Sequence, residues 1–168
     1  MSFDVAIITI SDRASTGERD DLSGPGIESM LERNRFSIVR RDVVPDERDQ
    51  IAALLRRCVD DDIALVLTTG GTGFAPRDVT PEATLDVIDR RADGLTEAIR
   101  THSLAITGFA MLSRAVAGIA RRTLIVNLPG SPKAVGECLD VILPVLPHAL
   151  KIMRADAPTP DGDHTLTS

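Results

Sequence analysis

The stretch Ile63–Thr84, IALVLTTGGTGFAPRDVTPEAT, decides the fold. It opens on an apolar run that closes on Thr68 and Thr69, the pattern of a strand buried on both faces. Glycines at 70, 71 and 73 end the run. A helix is expected from Thr80, with Thr80 as its cap and Pro81 in its first turn. Between turn and helix stands a lone carboxylate, Asp78.

The same alternation extends outward on both sides. Upstream, DVAIITI (Asp4–Ile10) is a second buried strand. The polar stretch Ser11–Gly26, SDRASTGERDDLSGPG, follows it; loops this long are uncommon and are often functional or mobile. GIESMLERN reads as a helix and FSIVRRDVV as an edge strand. In PDERDQIAALLRRCVDDD, residues Ile51, Leu54, Leu55, Cys58 and Val59 recur at helical spacing, and Asp60–Asp62 read as a solvated turn. Downstream, GLTEAIRTHSLAI is a helix and SRAVAGIARRTLIVNLP two short strands around Ala120–Arg121. SPKAVGECLDVILPVLPHALKIMRA is helical, with Pro144 and Pro147 expected to kink or break it. Strands alternating with helices argue for an α/β fold, a parallel sheet covered on both faces. Residues 1–155 read as one domain. The polar, Pro-containing tail 156–168 reads as disordered.

Composition narrows the function. The chain has 168 residues, 43% hydrophobic and 26% charged, as ordinary globular proteins have. No apolar run is long enough for a bilayer, and the N-terminus lacks a signal-peptide pattern. A net charge of -6 and only 2% aromatics, with no Trp or Tyr, argue against nucleic-acid binding. Cys58 and Cys138 fit neither a disulfide framework nor a metal knuckle, and read as core residues of a reducing, cytoplasmic compartment.

In open α/β sheets ligands bind beyond the carboxyl ends of the strands. Those ends carry Ser11-Asp12-Arg13, TTGGTG (Thr68–Gly73) and NLPGSP (Asn127–Pro132). Glycines let backbone N–H groups approach an anion, and hydroxyls add donors. The helix start at Ser131-Pro132-Lys133 offers a capping hydroxyl, free N–H groups and a positive dipole end. Together these read as a cradle for a phosphorylated ligand, although a Gly-rich turn also serves as a bare tight connection. It is neither a P-loop nor G-x-G-x-x-G. Asp78 beside a phosphate makes sense with a divalent cation between them, and Asp46 after the second strand can share that ion. The alternatives are a helix N-cap for Asp46 and a turn brace for Asp78. Arg13, Arg77 and Lys133 are positioned to neutralise charge. His102, His148 and His164 have no ligand spacing, and Ser113 lacks an activating neighbour.

The blocks ITISDRAS, VVPDE, TTGGTGFAPRDVTPEAT, MLSRAVAGIA and NLPGSPKAV resemble the MoaB/Mog family of molybdenum cofactor biosynthesis, from about Val5 to Met153. The resemblance implies a three-layer α/β/α molybdopterin-binding fold with a mostly parallel sheet, assembled as a homotrimer to which SRAVAGIA offers an apolar surface. It implies Mg²⁺-dependent transfer of AMP from ATP to the terminal phosphate of molybdopterin, with a molybdate-inserting enzyme as a downstream partner. By motif, Asp46 and Asp78 match the catalytic and metal-handling carboxylates. Thr69, Gly70, Gly71, Thr72 and Gly73 match the phosphate loop, and Ser11, Ser113, Pro129, Gly130 and Ser131 other pocket positions. The alternative within the family is a non-catalytic molybdopterin-binding or scaffold protein.

Overall fold

A computed structural model describes residues 2–34 and 36–155. The tail 156–168 and His164 lie outside the described residues. Six strands form one sheet in the order β2-β1-β3-β6-β5-β4. Strands β1 (Phe3–Ile10), β2 (Phe36–Val44), β3 (Leu65–Thr69) and β6 (Thr123–Leu128) run parallel. Strand β5 (Ala117–Ala120) is antiparallel to β6, and the two-residue β4 (Arg90–Arg91) is antiparallel to β5.

Alternation along β1 explains why its sequence is apolar at consecutive positions. Val5 and Ile7 enter one core with Ile27, Leu31, Val135 and Leu139, from helices α2 (Ser23–Leu31) and α6 (Pro132–Ile142). Ala6, Ile8 and Ile10 enter the other with Ile51, Leu55 and Cys58 from α3 (Arg48–Asp60). A strand with a core on each face has no side to give to water. Cys58 and Cys138 are free thiols in these two cores, on opposite faces of the sheet. Burial pushes the Cys58 thiol up to about 11, so it stays protonated and inert.

Several local expectations shift. The polar stretch after β1 contains a short helix, α1 (Asp12–Ser15), and α2 begins at Ser23, earlier than its apolar spacing suggests. Helix α4 (Thr80–Leu85) has Val79 as N-cap; the Thr80 hydroxyl, already inside the helix, donates to the Gly70 carbonyl at 2.9 Å. Helix α5 spans Asp93–Leu104, and a 3-10 turn follows at Gly108–Leu112. The last helical stretch divides into α6 and α7 (Leu146–Met153). Pro144 lies in the break, whereas Pro147 sits in the first turn of α7, where a missing N–H costs nothing.

The apolar surface expected from SRAVAGIA is not there: Ala115, Val116, Ala117 and Ala120 are buried within their own chain. Exposed apolar side chains cluster just upstream, at Leu104, Ile106, Phe109, Met111 and Leu112, with Phe109 81% exposed.

Candidate active site

The loops leaving β1, β3 and β6 meet at one edge of the sheet, because parallel strands bring their carboxyl ends together. Between them lies a cleft of about 410 Å³. Of the residues expected at a site, Ser11, Asp46, Thr69 and Asp78 line it. Gly70, Gly71, Gly130 and Ser131 complete that set.

The glycine turn is built by its neighbours. The Thr69 hydroxyl donates to the Pro129 carbonyl at 2.6 Å, and the Gly70 N–H to the Leu128 carbonyl at 3.2 Å, so the ends of β3 and β6 are tied together. From the other side the Thr80 N–H reaches the Gly71 carbonyl at 3.1 Å. The chain passes between these anchors with φ of 102° at Gly70 and 65° at Gly71. A Cβ on Gly70 would lie 2.2 Å from the Ile10 carbonyl oxygen, so no other residue fits. The N–H groups of Gly71, Thr72 and Gly73 donate to no protein acceptor among the described residues.

Asp46 is not a helix cap. Its N–H donates to the Asp12 carboxylate at 3.0 Å, and its own carboxylate accepts from the Asp12 N–H at 2.9 Å. Two aspartates thereby lock the ends of β1 and β2 to each other. Burial raises the Asp46 carboxyl above its usual range; the Asp12 N–H opposes that rise, and the charges of Asp12 and Asp78 add to it. Asp78 accepts from the Ala75 N–H at 3.1 Å and so braces its own turn while lining the cleft. A Cβ at Gly73 would lie 2.9 Å from its carboxylate. Two carboxylates whose charges repel beside free amides fit a magnesium ion, which takes one or two carboxylates and completes its shell with phosphates and water. Among the described residues no group of three acidic, His or Cys side chains could hold a metal alone.

The expected cations are elsewhere. Arg77 makes a bidentate pair with Asp12, at 2.6 and 2.9 Å, and a third bond to Glu47 at 2.8 Å. This pairing holds the Asp12 carboxyl below its usual range. Arg13 does not line the cleft. Lys133, 84% exposed, has only a long 3.9 Å approach to Glu137. Ser131 flanks α6 without a side-chain capping bond. Ser11 caps α1 instead, accepting from the Ala14 N–H at 3.2 Å. His102 and His148 are exposed on helices away from the cleft.

Four expected site residues, Thr72, Gly73, Ser113 and Pro129, line a second pocket of about 290 Å³. Its other walls, including Ile99, Phe109, Leu112 and Cys138, are largely apolar. The glycine turn is therefore a partition, with Gly70 and Gly71 on the polar side and Thr72 on the apolar side. Arg114 holds it in place. Its N–H donates to the Thr72 carbonyl at 2.8 Å, its Nε to the Gly73 carbonyl at 2.7 Å and its Nη2 to the Asp78 carbonyl at 2.6 Å, while Nη1 pairs with Glu82. Arg114 does not stand out in the sequence, and Asp12 is visible there only as part of a strand end, since the partners of both are distant. The long polar stretch after β1 was a signal, and it supplies Arg19, Asp21 and Ser23 to the cleft wall.

Residues 6–148 match the family described as "Probable molybdopterin binding domain". A molybdopterin adenylyltransferase of Helicobacter pylori is 41% identical over 152 residues, covering 89% of this chain and 86% of that protein. The molybdenum cofactor synthesis protein cinnamon of Drosophila melanogaster is 43% identical over 92% of this chain, which spans only 26% of cinnamon's length. The crystal structure of the molybdopterin biosynthesis enzyme MoaB of Thermus thermophilus superposes with a TM-score of 0.86 at 48% identity, covering 90% of this chain and 96% of that one. Fold, strand-end cleft and sequence agree: this chain belongs to the molybdopterin-binding MoaB/Mog family.

Proposed function

We propose that this chain is a molybdopterin adenylyltransferase, transferring AMP from ATP to the terminal phosphate of molybdopterin with release of pyrophosphate. The observation that carries this reading is the partition: one glycine turn separates a polar, carboxylate-bearing cleft from an apolar pocket. The polar cleft suits a nucleotide's phosphates. The apolar pocket, with the Thr72 and Ser113 hydroxyls at its edge, suits a planar pterin bearing one phosphate.

In the reaction an oxygen of the pterin phosphate forms a bond to the α-phosphorus of ATP. The bond from that phosphorus to its bridging oxygen breaks, and pyrophosphate leaves with the electron pair. A phosphate monoester has a second pKa of about 6 and is largely ionised at neutral pH. It needs no general base, and among the described residues no histidine lines the cleft. Alignment and charge stabilisation then carry the catalysis. Free amides at Gly71, Thr72 and Gly73 donate toward the phosphates; Asp46 and Asp78 would hold magnesium. Bound there, the ion would offset charge developing on the phosphate oxygens. Arg114 keeps the turn and Asp78 in register. A purely pterin-binding module would have no use for two repelling carboxylates in the neighbouring cleft.

A homotrimer is part of the same proposal, supported by the exposed apolar cluster around Phe109 and Met111. So are a cytoplasmic location and hand-over of product to a molybdate-inserting enzyme. No helix among the described residues is long and apolar enough to cross a membrane. The deciding assay combines the protein with ATP, Mg²⁺ and molybdopterin. Adenylylated pterin and pyrophosphate should appear in equal amounts, and pterin binding without either product would leave the scaffold reading.

A further inference from the structure

We propose that Arg19 grips the pyrophosphate portion of the nucleotide, the part that leaves. This rests on the nucleotidyl-transfer reading above. Among the described residues Arg19 is the one lysine or arginine on the cleft wall, which also carries Asp20, Asp21, Asp46 and Asp78. Four carboxylates repel an unneutralised triphosphate, so the cleft requires positive charge beyond its backbone amides. Arg77 is committed to Asp12 and Glu47, and Arg13 and Lys133 are outside the cleft. The Arg19 guanidinium has no partner among the described residues.

The loop that presents Arg19 is tethered at both ends. Gly17 turns the chain with φ of 78°, and the N–H groups of Glu18 and Arg19 both donate to the Arg13 carbonyl, at 2.9 and 3.2 Å. Beyond Arg19, the Asp21 carboxylate accepts from the Thr9 hydroxyl at 2.8 Å and the Gly24 N–H at 2.9 Å. The Arg19 backbone is thus held before any ligand arrives, which lowers the ordering cost of binding. Asp21 serves as a tether here.

Strand order sets which phosphates Arg19 meets. Attacking and leaving oxygens lie roughly in line across the transferred phosphorus. The apolar pocket is walled by α5, α6 and the end of β6, on one side of β3. The Arg19 loop leaves β1, on the other side of β3, and among the described residues reaches the β6 loop only at Ser23, whose hydroxyl donates to the Gly130 carbonyl at 2.8 Å. A nucleophile arriving from the pterin side drives the leaving group toward the β1 loop. A guanidinium there matches two oxygens of a phosphate at once.

The test titrates ATP and AMP, each with Mg²⁺, into wild type, Arg19→Gln, Arg19→Lys and Arg13→Gln, with circular dichroism to verify folding. Arg19→Gln should weaken ATP binding by roughly 10- to 100-fold, the range of a lost charge-assisted contact, and leave AMP binding within twofold. Arg19→Lys should recover part of the loss. Arg13→Gln removes the same charge outside the cleft and should change neither ligand by more than twofold. ATP affinity within threefold of wild type in Arg19→Gln, or an equal loss for AMP, overturns the assignment while leaving nucleotidyl transfer standing. A wild-type chain that binds neither nucleotide overturns both.

Discussion

Replacing Gly71 by alanine probes the partition at its most constrained point. The backbone there has φ of 65°. A residue with a Cβ pays about 1–2 kcal/mol in that left-handed region. The added Cβ would also lie 2.4 Å from Thr80 Oγ1 and 3.0 Å from Asp46 Oδ1. Thr80 is fully buried, and its hydroxyl holds the Gly70 carbonyl at 2.9 Å. Displacing it forfeits a buried hydrogen bond, about 1–3 kcal/mol. The sum is about 2–5 kcal/mol, which for a chain of this size lowers the melting temperature by roughly 5–20 °C. Gly130→Ala is the matched reference. Its Cβ would lie 3.4 Å from Gly70 Cα, an ordinary contact, and its melting temperature should stay within about 2 °C of wild type. Both variants are followed by thermal circular dichroism and, well below the transition, by ATP titration. Gly71→Ala should also lose ATP affinity, because the methyl group crowds Asp46. If it melts together with Gly130→Ala, the turn is not held by Thr80.

Asp78→Asn should bind molybdopterin normally and lose about 10²–10³ in turnover, because asparagine still accepts from the Ala75 N–H but carries no charge; turnover within threefold of wild type would make Asp78 a turn brace only. For Asp46, burial raises the folded pKa above 3.8, so its contribution to stability is full below 3.8 and is lost as pH rises through the folded value. Asp46→Asn keeps an oxygen for the Asp12 N–H and should therefore gain melting temperature over wild type at pH 7 relative to about pH 3.5; an equal difference at both pH values would contradict this. Sedimentation at micromolar concentration should give one species at three times 18.0 kDa, and Met111→Asp with Phe109→Asp should shift it toward monomer; a wild-type monomer removes the trimer from the proposal.

What the sequence by itself determined lies within reach of neighbouring residues. The runs Asp4–Ile10 and Ile63–Thr69 had to be buried on both faces, because consecutive apolar side chains in a strand point to opposite sides. The glycines at 70 and 71 marked a turn that other residues resist. The spacing through α3 placed Ile51, Leu55 and Cys58 on one face, and Pro144 marked the break in the last helical stretch. The MoaB/Mog motifs carried the family. Short or weakly patterned pieces were not legible in this way: α1 sits in polar sequence, and β4 is a pair of exposed arginines held by β5.

Only the tertiary structure decided how the site divides and what each charge does. Asp46 reads locally as a helix cap, yet its partner is Asp12, 34 residues away. Arg77 reads as a phosphate ligand, yet it is spent on Asp12, 65 residues away. Thr72 and Gly71 are adjacent in the chain and face different pockets. Arg19, one arginine among many in the sequence, becomes the one lining cation of the cleft among the described residues. Charges and hydrogen bonds act through space, and parallel strands bring together loops that the chain separates by entire βα units. The sequence holds each of these groups; their pairing exists only once the sheet is assembled.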